Sequence, residues 1–271
     1  MDITGPHILL TNDDGIQSPG LWAAAEALDK LGFVTVVAPR DQASGTGRSM
    51  PFYTYDGQVH QEKLEVNGKN WTVHAVGGTP AMAVMYGILE LTPQKPDLVV
   101  SGINYGLNVG SGVTISGTVG AAIEGAAAGI PSLAISLETA TKYHGSYSRE
   151  IDFNTAGHFT KFFSHLLLSK KMPPDVQLLK VEIPAQATVA TPWQTTNLSM
   201  LRFYEPITSD QTNTQISKGI GYDIAPNWDQ SPPGTDTHTV VNRKEISVTP
   251  LSLDLTSRTD LSELKKYLQQ D

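Results

Sequence analysis

The first 140 residues alternate short β-branched runs with longer stretches of helical periodicity. That pattern predicts a parallel sheet whose strands are joined by crossover helices. Strands are expected near His7–Leu10, Val34–Ala38, Trp71–Val76, Leu98–Ser101 and Ser132–Ser136. Ser18-Pro19 places a capping residue before a proline at the first helical position, and Gly32 closes that helix. Leu21, Ala25, Leu28 and Leu31 then form one apolar stripe. Thr79-Pro80 repeats the start signal before AMAVMYGILEL, which is apolar nearly all round and predicts a buried helix. A third helix opens around Ser116–Thr118 and runs through VGAAIEGAAA to Gly129, its small residues allowing close packing.

Beyond residue 150 the texture changes. Residues 151–169 read as one amphipathic helix with Phe159, Phe162, Phe163 and Leu166 on its apolar face. From Val176 the pattern is strands separated by Pro- and Asn-rich turns. Residues 206–239 are polar, with little to form a core, and read as a long loop or an arm reaching another subunit. EISVTPLSLDLT (245–256) reads as a returning strand, and Asp260-Leu-Ser-Glu263 as the start of a short terminal helix. The expected fold is α/β: a Rossmann-like, doubly wound, mainly parallel sheet with a β-rich C-terminal extension or arm. Residues 1–140 form the α/β core carrying the site. Residues 141–271 continue the same domain with a helix, a hairpin-like oligomerisation arm at about 206–240 and a terminal helix.

Length and composition suit this reading. The chain has 271 residues, 39% hydrophobic and 17% charged, as in an ordinary globular protein. A net charge of −8 without any Lys/Arg cluster argues against a nucleic-acid duplex as partner. The absence of cysteine excludes disulfides, Cys-ligated zinc, iron–sulfur clusters and thiol catalysis. No stretch resembles a signal peptide or membrane span, so the expected location is the cytoplasm, with no membrane partner.

Ligands of doubly wound sheets sit beyond the carboxyl ends of the strands. Here those ends read TNDDG, PRDQASGTGRS, GGTPA and SGINYGLNVGSG, rich in oxygen donors and glycine. Asp13 and Asp14 reach one point only if the chain turns at Gly15. Two carboxylates so aimed need a cation between them, and oxygen donors select Mg²⁺, Mn²⁺ or Ca²⁺. The competing reading makes Asp14 a turn or capping residue and Asp13 a solvated one. SGTVGAA (116–122) opens a helix whose free N–H groups suit a phosphate, or is an ordinary capped helix. Ser44 is a metal ligand, a phosphate donor or a plain loop serine; no G-x-S-x-G surrounds it. Asn104 and Asn108 offer amide oxygens to a metal or serve as turn residues. The seven histidines show no ligand spacing and read as structural or surface residues. The first strand leads into N-D-D-G rather than G-x-G-x-x-G, which argues against a dinucleotide-binding oxidoreductase.

LLTNDDG, Ser44 within QASG, VGGTPA, SGINYGLN and SGTVGAAIEG occur in the order and rough spacing of the SurE family. These stationary-phase survival proteins act as metal-dependent nucleoside monophosphate phosphatases. TDTHTVVNRKEISVTPLSLDLT also resembles that family's ending, so the resemblance runs from about residue 7 to 256. It implies hydrolysis of nucleoside 5′- and 3′-monophosphates with one divalent cation per subunit, Mg²⁺, Mn²⁺ or similar. It places the ion on Asp13, Asp14, Ser44 and Asn104, with Asn12 beside it. Asp13, Asp14 and Asn12 are then the catalytic set, and Ser116, Gly117, Thr118 and Asn108 the phosphate contacts. It further implies a homodimer or homotetramer exchanging C-terminal arms, which suits residues 206–239. One departure stands out: Met82 and Ala83 replace the acid and cysteine of the family's G-T-P-A-D-C-V. That substitution keeps a second reading open, a non-catalytic nucleotide- or phosphate-binding protein that retains the fold.

Overall fold

Each β-branched run of the N-terminal half becomes a strand of one sheet in the computed structural model, which describes residues 5–51, 56–208 and 220–269. The strands are β1 (His7–Thr11), β2 (Phe33–Pro39), β3 (Val59–Val66), β4 (Lys69–Val76), β5 (Leu98–Tyr105), β6 (Ser132–Leu137), β7 (Leu178–Ile183), β8 (Trp193–Thr195), β9 (Tyr204–Thr208), β10 (Ile220–Ile224) and β11 (Ile246–Leu251). The central sheet runs β3-β4-β2-β1-β5-β6-β7-β11-β8, and β9 pairs with β10 as a separate antiparallel ribbon. Pairing is parallel from β4 through β7; β3 joins β4, and β11 joins β7, antiparallel. This is the expected doubly wound α/β sheet with a β-rich extension.

Helices α1 (Pro19–Leu28), α2 (Pro80–Tyr86), α3 (Gly117–Ala127) and α4 (Asn154–Ser169) are the crossovers, and α5 (Leu261–Leu268) ends the described chain. Alternation within each strand divides the core. Ile8 and Leu10 pack with α1 and α4, whereas Leu9 packs with α2 and α3 on the opposite face. No helix among the described residues is long and apolar enough to cross a membrane.

Several local expectations need correction. Helix α1 ends at Leu28, before Gly32, whose place is set by close approach to Pro6: a Cβ there would lie 2.9 Å from Pro6 Cγ. Ser18 stands at the N-cap position, but its hydroxyl makes no cap bond and is buried without a partner; Pro19 marks the start. Helix α2 stops at Tyr86 and passes into a π-turn, Gly87–Leu91, so the sequence expected to be buried emerges, with Leu89 72% exposed. On α4 the buried line runs Ala156, Phe159, Phe163 and Leu167, leaving Phe162 exposed, one position off the stripe. The expected polar arm is also only partly loop. Within it Ala225, Ser231, Asp236, Thr237 and Thr239 are buried. Residues 209–219 of that stretch lie outside the described residues.

Candidate active site

The strand order changes direction between β1 and β5. From β1 the chain crosses to β2 on one side, while β5 lies on the other and leads outward to β6. A crevice at such a switch point is where doubly wound sheets bind ligands. Here a cavity of about 360 Å³ opens, and Asp13, Asp14, Ser44, Asn104, Asn108 and Ser116 all line it. Three other expected site residues do not reach its wall. Asn12 lies buried beside it, its amide donating to Gly15 O (3.2 Å) while its Oδ1 has no partner. Gly117 and Thr118 stand directly behind Asp13.

The chain turns sharply after Asp14 because Gly15 adopts φ 93°, and a Cβ there would sit 3.0 Å from Tyr147 Oη and 3.1 Å from the Asp41 backbone. Both carboxylates are consequently buried, Asp13 at 4% and Asp14 at 2% exposure. Thr118 Oγ1 donates to Asp13 Oδ1 at 2.5 Å, and Ala43 N–H fixes the Asp13 backbone carbonyl at 2.8 Å. Asp14 accepts from Tyr105 N–H (3.2 Å) and, at greater length, from Gln42 Nε2 (3.4 Å). The same Gln42 nitrogen donates to Ser44 Oγ (3.0 Å), tying the second strand end to the first.

Burial dominates the electrostatics. It raises the Asp13 carboxyl to about 6, against a smaller opposing effect of the Thr118 hydroxyl. Burial, and then the charge of Asp13, hold Asp14 well above the ordinary carboxylate range. Neither carboxylate has a Lys, Arg or His ion-pair partner among the described residues. No group of three or more His, Asp or Glu side chains among them is arranged to hold a metal ion by itself. The remaining oxygens at the site are neutral. Asn104 commits its amide nitrogen to Gly106 O (2.8 Å) and Tyr105 O (3.3 Å), leaving Oδ1 as its ligand atom. Two buried, uncompensated carboxylates with an amide oxygen and a hydroxyl fit a hard divalent cation.

Beside the carboxylates, α3 presents its N-terminus. Ser116 Oγ caps it by accepting from Val119 N–H (3.1 Å) and also faces the cavity. Across the cavity the β9–β10 ribbon forms a roof that contributes Tyr204, Pro206, Gly221 and Tyr222. His144 holds this roof: its Nδ1 lies 3.0 Å from Tyr222 Oη and its Nε2 3.2 Å from Thr139 O. The carbonyl can only accept, so Nε2 carries the proton and Nδ1 accepts from the tyrosine. Both ring nitrogens are thus occupied, in keeping with a structural histidine. Gln42, Tyr222 and Arg202 were not singled out in the sequence. Gln42 lies inside a strand-end segment that was; Tyr222 lies in the polar stretch, where no local pattern marks it.

Residues 8–205 match the sequence model of the SurE family, described as survival protein SurE. The chain belongs to the SurE family. A protein named 5′-nucleotidase SurE from Methanocella arvoryzae is 38% identical over 270 residues, covering 98% of each chain. One of the same name from Thermococcus gammatolerans is 37% identical over 264 residues, covering 97% of this chain and 96% of its own. The crystal structure of the SurE protein from Aquifex aeolicus superposes with a TM-score of 0.75 at 34% identity, covering 98% of this chain and all of that one. Against the SurE pattern, the departure at Met82 lies away from the cavity wall. Met82 is buried in the first turn of α2 and packs on Gly78, where a Cβ would meet its Sδ and Cε at 3.1 Å.

Proposed function

We propose that this protein is a divalent-metal-dependent phosphomonoesterase that hydrolyses nucleoside 5′-monophosphates, and 3′-monophosphates as well, to nucleoside and phosphate. The observation carrying this reading is the pair of buried, uncompensated carboxylates beside the N-terminus of α3, at the switch point of the sheet. The name 5′-nucleotidase borne by full-length relatives supports the same substrate class.

Asp13, Asp14, Asn104 Oδ1 and Ser44 Oγ would hold the cation. When bound, the ion supplies Lewis-acid charge to a phosphate oxygen and offsets charge developing in transfer. Thr118 and Ala43 keep Asp13 oriented, and Tyr105 N–H and Gln42 do the same for Asp14. Ser116 and Asn108 face the phosphate, and the exposed Arg202 lines the same cavity. The roof of Tyr204 and Tyr222 offers aromatic surface to the nucleoside. Asn12 supports the Asp13–Asp14 turn from behind. The exposed Ile207 and Ile224 of the ribbon support assembly of subunits through this arm, as a homodimer or homotetramer. Phosphate release from 5′- and 3′-nucleoside monophosphates, before EDTA, after EDTA and after Mn²⁺ is restored, tests the reading. Loss and recovery of activity are expected; release indifferent to EDTA contradicts metal dependence.

A further inference from the structure

Strand β7 is buried on both faces, yet reads Leu-Leu-Lys-Val-Glu-Ile. Its odd-numbered side chains, Leu179, Val181 and Ile183, join the main core. On the other face Lys180 and Glu182 are wholly buried and meet a third charge, Asp236, from the segment following the ribbon. Lys180 Nζ lies 3.0 Å from Asp236 Oδ2 and 3.5 Å from Glu182 Oε1. Burial opposes the Lys180 ammonium, but Asp236 and then Glu182 outweigh it. Asp236 is held below the ordinary carboxylate range despite burial, chiefly by Lys180, whereas burial leaves Glu182 raised. Asp236 is therefore the principal counter-ion, as its shorter distance indicates.

Buried ion clusters are poor stabilisers, and well-packed apolar side chains often serve as well. What this one does is grip the cavity rim. Glu182 Oε2 accepts from Asn108 N–H (2.9 Å), and Ser136 Oγ links the Asn108 side-chain amide (3.1 Å) to Glu182 Oε1 (3.4 Å). Asp236 Oδ2 accepts from Gly110 N–H (3.0 Å), while Oδ1 accepts from Ser199 N–H (2.9 Å) at the foot of the ribbon. One cluster thus ties the Asn108–Gly110 rim to the segment that carries the roof.

We infer that Lys180, Glu182 and Asp236 are positioning residues: together they fix Asn108 and the rim relative to the roof, and so set how tightly the site holds phosphate. The inference rests on the phosphomonoesterase reading. Its test uses Glu182→Gln, Asp236→Asn and the peripheral Ser136→Ala in the full-length protein with saturating Mn²⁺. Steady-state kinetics on a nucleoside 5′-monophosphate and calorimetric affinity for inorganic phosphate are measured for each. Losing a charge-assisted contact to the rim is expected to raise KM and weaken phosphate binding by about tenfold for the two carboxylate variants, and less for Ser136→Ala. Mn²⁺ affinity and kcat should stay within about threefold of wild type. A cluster that only stabilised the fold would lower the active fraction, and hence apparent kcat, without moving KM. If the carboxylate variants fail to fold, Ser136→Ala decides alone. Unchanged KM and phosphate affinity in the folded variants would overturn the inference. A wild type that binds phosphate but releases none from any monophosphate would sink the phosphomonoesterase reading, and the phosphate affinities would still judge the cluster. No phosphate binding by the wild type would overturn both.

Discussion

Without a bound metal, Asp13 releases its proton near 6 rather than at 3.8, because burial penalises the carboxylate. At about 1.36 kcal/mol per pKa unit, ionising it costs the folded state about 3 kcal/mol. The unfolded chain loses this proton near 3.8 while the folded chain retains it to about 6. Between those values the folded state binds more protons, so the Asp13 contribution to stability falls as pH rises and levels off above the window. Asp13→Asn keeps the shape and an acceptor for Thr118 but removes the ionisation. In EDTA at pH 7.5 the variant should therefore melt about 6–12 °C above wild type, while at pH 4 the two should nearly coincide. Mn²⁺ at a thousand times its Kd reverses the order at pH 7.5, because it stabilises wild type by about 4.1 kcal/mol and Asp13→Asn loses most of that binding. Calorimetric melting of both proteins from pH 4 to 8, with and without Mn²⁺, measures each difference. Equal melting temperatures in EDTA at pH 7.5, or a gap that widens toward pH 4, would refute the reasoning.

Thr118→Val removes the hydroxyl that holds the Asp13 carboxylate, so Mn²⁺ affinity at neutral pH should fall about tenfold; isothermal titration showing unchanged affinity contradicts this. Gly117→Ala puts a Cβ 2.7 Å from Asp13 Cβ and 3.2 Å from Ala43 O. Displacement of Asp13 should then lower kcat by about a hundredfold in a phosphate-release assay, and wild-type turnover would contradict the packing argument. Tyr222→Ala deletes the roof's hydrogen bond to His144 and one of its two aromatic rings, so KM should rise about three- to tenfold with kcat little changed. A fall in kcat at fixed KM would show the roof acting on the chemistry instead.

Much of the candidate site was legible because its residues follow strands. TNDDG, PRDQASG and SGINYGLN each sit where a short apolar run ends, and a doubly wound sheet brings such ends together. Elements whose environment is only partly buried were harder to read. Strand β3, VHQEKLEV, was missed: it is an edge strand with little buried on either side, so its alternation is faint. The Asn67-Gly68 turn that follows, with φ 50° and 78°, was the signal for that hairpin. The roof was illegible for a different reason. Tyr222 and Asp236 belong to a polar segment whose partners, His144 and Lys180, lie far away in sequence, and no local periodicity reports a long-range hydrogen bond. Thr118 illustrates a subtler limit: its position beside the site was readable, but not that its hydroxyl turns to Asp13 rather than into the cavity.

If Asp13 and Asp14 hold a cation that serves phosphate hydrolysis, turnover depends on both. Phosphate release from a panel of nucleoside monophosphates, wild type against Asp14→Ala at matched Mn²⁺ and confirmed folding, tests it most directly. Turnover is expected from the wild type and none above background from the variant. Equal turnover by a folded Asp14→Ala protein would contradict it.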